Sequence, residues 1–219
     1  TSATITDRLV ALSRALIGRI RGGLAQVNVL VSMFFAGMNG SVVADTATVG
    51  ALVLPAMKKA GYPAAFSAAV TGVSSTIGGI IPPSIMMIVL ANATEISIAA
   101  LFAAGIIPGI LIGVVIMVIN HYFAVKYNFE RSDESFSIRR AGKELYRSSF
   151  ALLIPLVLVG SVMGGVASVV EAGAITALVA LFTGVFVYRT IKWKDCTGAF
   201  RRAFRNSAMV FIIIAASGP

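Results

Sequence analysis

Residues 74–84 read Ser-Ser-Thr-Ile-Gly-Gly-Ile-Ile-Pro-Pro-Ser. They lie inside an apolar stretch, residues 60–94, without one charged side chain. Such a stretch exceeds the roughly 20 apolar residues that cross a bilayer as a helix. Its middle is poorly suited to helix. Gly78 and Gly79 weaken it. Pro82 and Pro83 remove two amide donors and disfavour helix just before them. The pattern predicts a transmembrane helix over 62–94 that is broken in two. Broken backbone at membrane depth survives only where protein or a water-filled cavity satisfies it. The fold class that follows is an all-α polytopic membrane protein with a polar discontinuity inside the bilayer.

The rest of the chain agrees with that class. It has 219 residues, 58% of them hydrophobic and only 12% charged, with a mean hydropathy of +0.91. A soluble domain would carry about twice that charged fraction. Residues 96–125 contain no charge, 22–57 only Asp45, and 148–188 only Glu171. The formal charge of +9 would suggest nucleic acid in a soluble protein. Here all 18 Lys and Arg fall in short zones between the apolar runs: Arg8–Arg21, Lys58–Lys59, Lys126–Arg147 and Arg189–Arg205. That is the distribution of cytoplasmic loops under the positive-inside rule. It argues for the lipid bilayer and against nucleic acid as the partner.

The boundaries follow from charge and length. Residues 1–21 carry Leu9, Leu12, Leu16 and Ile20 at helical spacing beside four arginines. They read either as a basic amphipathic helix at the membrane surface or as the cytoplasmic end of a preceding span. Residues 22–57 are interrupted at Asn39-Gly40-Ser41 and Asp45, with basic residues at both outer ends. They are either two short spans with a minimal turn or a re-entrant hairpin whose tip stops within the bilayer. The near absence of a loop favours the hairpin. After the broken helix of 62–94, residues 96–125 form a span returning to the cytoplasm. Its Gly105, Gly109 and Gly113 make a small-residue packing stripe. Residues 126–147 are a cytoplasmic loop, and 148–188 two spans turning near Gly164-Gly165 and Glu171. Residues 189–206 are a basic interfacial segment, and 207–219 the start of another span. The first residue is Thr and the last apolar run is short, so the chain reads as a piece of a longer protein.

Covalent catalysis finds little support. His121 lacks a Cys or acidic neighbour at ligand spacing, and Cys196 stands in a basic loop. The serines have no base beside them. Both residues read as structural, and the chain as a non-enzyme. Polar groups at membrane depth carry more information. An ionised Asp at a span's centre costs about 2.5–3.5 kcal/mol on the insertion scale, so Asp45 is a candidate to line a site, to cap a hairpin helix, or both. Asn39, Gly40 and Ser41 supply a tight turn with free backbone groups. Ser74, Ser75, Thr76 and Ser84 flank the break. Half-helix N-termini there would face an anion, and unwound carbonyls a cation.

These residues resemble a known family. Gly37–Met57, GMNGSVVADTATVGALVLPAM, and Gly61–Met87, GYPAAFSAAVTGVSSTIGGIIPPSIMM, are similar to the large membrane (M) subunit of tripartite ATP-independent periplasmic (TRAP) transporters. So are Ile5–Leu30, ITDRLVALSRALIGRIRGGLAQVNVL, and Ala100–Gly113, ALFAAGIIPGILIG. The resemblance implies an elevator-type transporter of the bacterial inner membrane. It would take up an organic acid, a C4-dicarboxylate or sialic acid, with sodium as the co-transported ion. A periplasmic substrate-binding protein and a small four-helix membrane subunit would be its partners. It further implies that 22–57 is a re-entrant hairpin and 62–94 a broken helix of the transport domain, with an inverted second repeat largely absent from this chain. Asn39, Gly40, Ser41, Ser74, Ser75, Thr76, Gly78 and Pro82 would then surround the substrate and a sodium ion. Asn39, Ser41, Ser75, Thr76 and Gly78 would be the ion's ligands. A binding-protein-independent anion transporter or antiporter of the same layout is the alternative, and a non-transporting scaffold a third. One departure stands out. The family's Phe-Thr-Pro-Thr-Glu-Ala-Ala run is VASVVEAGA here, Val166–Ala174, which keeps Glu171 and loses the Thr and Pro.

Overall fold

The computed structural model describes residues 2–17, 20–129, 138–188 and 193–217. The regular elements among them are all helical: α1 (Ser2–Ile17), α2 (Gly23–Asn39), α3 (Val42–Lys59), α4 (Ala64–Ser75), α5 (Ile85–Thr94), α6 (Ile98–Lys126), α7 (Ile138–Met163), α8 (Val169–Phe182) and α9 (Trp193–Ser217). A 3-10 turn over Thr76–Gly79 follows α4, and a π-helical turn over Thr183–Val187 follows α8. Among the described residues, three stretches are long and apolar enough to cross a membrane: Ile98–Lys126, Ala141–Met163 and Val169–Val187. The chain is a multi-pass membrane protein by that measure.

α2 is the hub, packing against α1, α3, α4, α6 and α7. Its 17 residues span about 26 Å at 1.5 Å per residue, short of a hydrocarbon core roughly 30 Å thick. Gly22 opens it with φ 71°, and a Cβ there would sit 2.5 Å from that of Ala124, so the chain enters α2 against the end of α6. One apolar cluster joins Leu9 of α1, Val29, Val31 and Phe35 of α2, Val49 and Val53 of α3, and Ile77 of the 3-10 turn. A smaller one joins Phe102, Val162 and Ala172 of α6, α7 and α8. The glycine stripe of α6 is buried as a packing face. A Cβ at Gly105 would meet the Ile80 carbonyl at 2.5 Å, and one at Gly109 the Ile81 side chain at 2.4 Å. α6 therefore lies directly on the break.

Several boundaries differ from the sequence reading. The helix of α7 begins at Ile138, so the expected loop 126–147 already contains its first turns. Arg, Ala, Lys, Glu and Leu there are strong helix formers and need no membrane. Residues 130–137 of that loop lie outside the described residues, with Glu130, Arg131, Asp133 and Glu134. The basic segment 189–206 and the span expected from 207 are one continuous helix from Trp193; residues 189–192 and 218–219 lie outside the described residues, as do residues 18–19, Arg19 among them. On α1, Leu9 and Leu12 are buried but Leu16 is not, nor is Ile20 beyond its end; Ser13, Ala15 and Ile17 are buried instead. The helix packs on both α2 and α7, so its covered face is wider than a single leucine row.

The turn between α7 and α8 shows what Glu171 does locally. Gly165 takes φ 65°. Ser168 then caps α8, accepting the Glu171 amide at 3.4 Å, while the Glu171 carboxylate accepts the Ser168 amide at 2.8 Å. This is a capping box, two orphan donors satisfied reciprocally.

Candidate functional site

Two backbone interruptions build the site. In the first, α2 ends at Asn39 and Gly40 takes the left-handed conformation, φ 59°, its amide bonding the Ala36 carbonyl at 3.1 Å. Ser41 then caps α3, its hydroxyl accepting the Ala44 amide at 3.4 Å. The reversal between the helices thus takes only Gly40 and Ser41. In the second, α4 stops at Ser75, the 3-10 turn runs to Gly79, and helix resumes at Ile85. The Pro82–Pro83 bond is cis. The Ser84 hydroxyl donates to the Gly79 carbonyl at 2.8 Å and accepts the Met87 amide at 3.4 Å, closing the break and capping α5 together.

The two interruptions touch. The Ile85 amide donates to the Gly40 carbonyl at 3.2 Å. A Cβ on Gly40 would lie 2.2 Å from the Pro83 carbonyl oxygen. A Cβ on Gly78 would lie 3.7 Å from the backbone of Ser41 and Val42. Four helix ends therefore converge: the C-termini of α2 and α4 and the N-termini of α3 and α5. C-terminal ends present carbonyls and partial negative charge; N-terminal ends present amides and partial positive charge. Such a point offers surroundings to a cation and to an anion with no charged side chain from the turn or the break.

Beneath the tip lies Asp45, the one charged side chain among the buried described residues, with no exposed surface. Its carboxylate faces the hydroxyls of Ser32 and Ser75, but neither oxygen completes a hydrogen bond of ordinary geometry, and the Ser75 hydroxyl is also unpartnered. A buried carboxylate without a partner is unstable as a bare ion, so this group is suited to compensating a positive charge.

The expected site residues are distributed as follows. Gly40, Ser41, Gly78, Pro82 and Ser84 lie where tip and break meet, with Asp45 and Ser75 facing each other below. Asn39 is half-buried at the end of α2, its side chain free of hydrogen bonds among the described residues. Thr76 is exposed, its hydroxyl donating to the Val73 carbonyl at 2.7 Å. Ser74 turns away, toward Asn28 and Ser32 on α2. Those two residues, with Thr71, were not singled out from the sequence. Their trace was there: Asn28 and Ser32 recur four apart in an apolar run, and Ser67, Thr71 and Ser74 share one face of α4. His121 is exposed and Cys196 half-buried. No group of three potential metal-ligating His, Cys, Asp or Glu side chains occurs among the described residues.

Described residues that are helical throughout their regular elements, with three candidate spans among them and a helical hairpin seated on a broken helix, define a polytopic helical membrane protein. Over residues 1–218 the sequence matches the family described as the tripartite ATP-independent periplasmic transporter, DctM component. The chain belongs to that family, and it is a multi-pass inner-membrane protein. It is 34% identical over 98% of its length to the C4-dicarboxylate TRAP transporter large permease protein DctM of Pseudomonas aeruginosa. It is 32% identical over 97% of its length both to the sialic acid TRAP transporter large permease protein SiaM of Vibrio cholerae and to the 2,3-diketo-L-gulonate TRAP transporter large permease protein YiaN of Escherichia coli. The chain spans about half the length of each of these relatives, 50% in every case.

Proposed function

We propose that this chain is part of a sodium-coupled secondary transporter that takes up an organic acid by an elevator movement, fed by a periplasmic binding protein and accompanied by a small four-helix membrane subunit. The observation that supports this most is the seat of the hairpin tip on the helix break, Gly40 carbonyl to Ile85 amide. The converging helix ends can solvate an ion pair without a buried Lys or Arg. In this reading the α2 and α4 ends, with Asn39, Ser41, Ser75, Thr76 and the Gly78 backbone, receive sodium, and Asp45 offsets its charge from below. The amides opening α3 and α5 face the substrate carboxylate, as helix N-termini bind anions generally. Relatives are named for C4-dicarboxylate, sialic acid and 2,3-diketo-L-gulonate, all organic acids, so a carboxylate is the substrate class to test. Uptake by the full-length transporter in proteoliposomes decides the matter. The reading expects uptake that needs both an inward sodium gradient and the binding protein. Uptake indifferent to both would overturn it.

A further inference from the structure

Asn28 lies about three turns of α2 before the tip of the hairpin and near neither interruption in sequence, yet it is completely buried. Its amide group donates to the Thr71 hydroxyl at 2.7 Å, and its carbonyl oxygen accepts the Ser74 hydroxyl at 3.3 Å. The Thr71 proton goes to the Ser67 carbonyl at 2.9 Å, which leaves its lone pair for Asn28. Ser74 has one proton and two acceptors in reach, Asn28 and the Thr71 carbonyl at 3.1 Å. Ser32, one turn along α2, donates to Ser74 at 3.3 Å and also faces Asp45. A chain of hydrogen bonds therefore ties α4 to α2, and Ser32 at its end faces the carboxylate on α3 without bonding it. All its side chains are buried, so each bond is made away from competing water, where an unmade one is expensive.

We propose that Asn28 is the positioning residue of the candidate cation site, fixing the last turn of α4 against α2 so that Ser75 and Asp45 face each other. The inference rests on the sodium reading above. The geometry that favours it is the placement of both bonds. Thr71 and Ser74 bracket the final turn of α4, and Ser75 is the next residue. Asn28 grips that turn at two points of one face, which restrains both its rotation and its distance. Apolar packing would hold the distance alone.

The test compares near-isosteric variants in the full-length transporter. Asn28→Leu and Thr71→Val each remove the short bond. Thr71→Ser keeps the hydroxyl. Gln26→Leu removes a different, part-buried bond of α2, to the Met117 carbonyl of α6 at 2.8 Å. The half-saturating sodium concentration for uptake is expected to rise about tenfold in Asn28→Leu and Thr71→Val, the factor a lost buried hydrogen bond carries, with uptake at saturating sodium retained. Thr71→Ser and Gln26→Leu are expected to match the parent. Should Asn28→Leu fail to assemble, Thr71→Val carries the comparison. An unchanged sodium requirement in Thr71→Val, or an equal rise in Gln26→Leu, overturns the proposal. If the parent ignores sodium, the sodium reading is what fails, and a second measurement judges Asn28. Ser75→Cys at this buried position, in a Cys196→Ala background, is expected to resist maleimide until Asn28→Leu is added. Resistance in both backgrounds overturns the proposal.

Discussion

Gly40→Ala is the substitution on which the tip-and-break geometry bears most heavily. Two separate penalties apply. The first is backbone: Gly40 has φ 59°, and an L-residue in the left-handed region costs about 1–2 kcal/mol. The second is contact: the new Cβ would lie 2.2 Å from the Pro83 carbonyl oxygen and 3.2 Å from the Ser84 Cα. Those are backbone atoms and cannot swing aside. The tip must lift, and the bond from the Ile85 amide to the Gly40 carbonyl at 3.2 Å goes with it. Leaving buried backbone groups unpaired costs about 1–3 kcal/mol. The total is roughly 2–5 kcal/mol, against about 1–2 kcal/mol for the backbone penalty alone. Gly61→Ala isolates that smaller figure, because Gly61 has φ 79° with nothing within 4 Å of a Cβ. Thermal unfolding of the purified transporter in detergent, with uptake in parallel, compares the two. Gly40→Ala is expected to unfold at clearly lower temperature than Gly61→Ala and to lose uptake. Equal midpoints for both variants would refute the reasoning, since they would mean the tip does not press on the break.

The glycine stripe of α6 is expected to tolerate alanine unequally. Gly105→Ala meets the Ile80 carbonyl at 2.5 Å, whereas Gly113→Ala meets the flexible end of Met33 at 2.5 Å; the first should lower the unfolding midpoint by far more than the second, and the same scan reads both. Ser168→Ala removes the cap of α8 and is expected to destabilise by about 1 kcal/mol without altering the sodium requirement of uptake. A changed requirement would place the α7–α8 turn in the site after all.

The membrane class and the break were legible because their signals are local and additive. The Gly78–Pro83 stretch carries four residues that oppose helix, and charge-free runs of span length admit few alternatives. The partners of the discontinuities were less legible. Nothing in Asn39-Gly40-Ser41 says that its carbonyl meets Ile85, because backbone pairing between distant segments leaves no mark on residue type. Asn28 and Thr71 were passed over for a related reason: single polar residues in an apolar run look like tolerated substitutions until a facing helix supplies a partner. Glu171 shows the opposite failure. It drew notice as a charge near a span, yet the SxxE capping spacing from Ser168 accounts for its geometry here. The early start of α7 was missed because a polar, charged segment reads as loop when the neighbouring runs are so apolar.

Cysteines at positions 42 and 79 would test the seat of the hairpin on the broken helix most directly. A Cβ on residue 79 would lie 3.3 Å from a Val42 methyl group, and Gly79 is not among the residues with positive φ, so Val42→Cys with Gly79→Cys fits the backbone and brings the two thiols within disulfide reach. In a Cys196→Ala background, mild oxidation of the double variant in native membranes is predicted to join the two positions rapidly, read as a shifted peptide map that reductant restores. No cross-link above the level of either single variant would contradict the account.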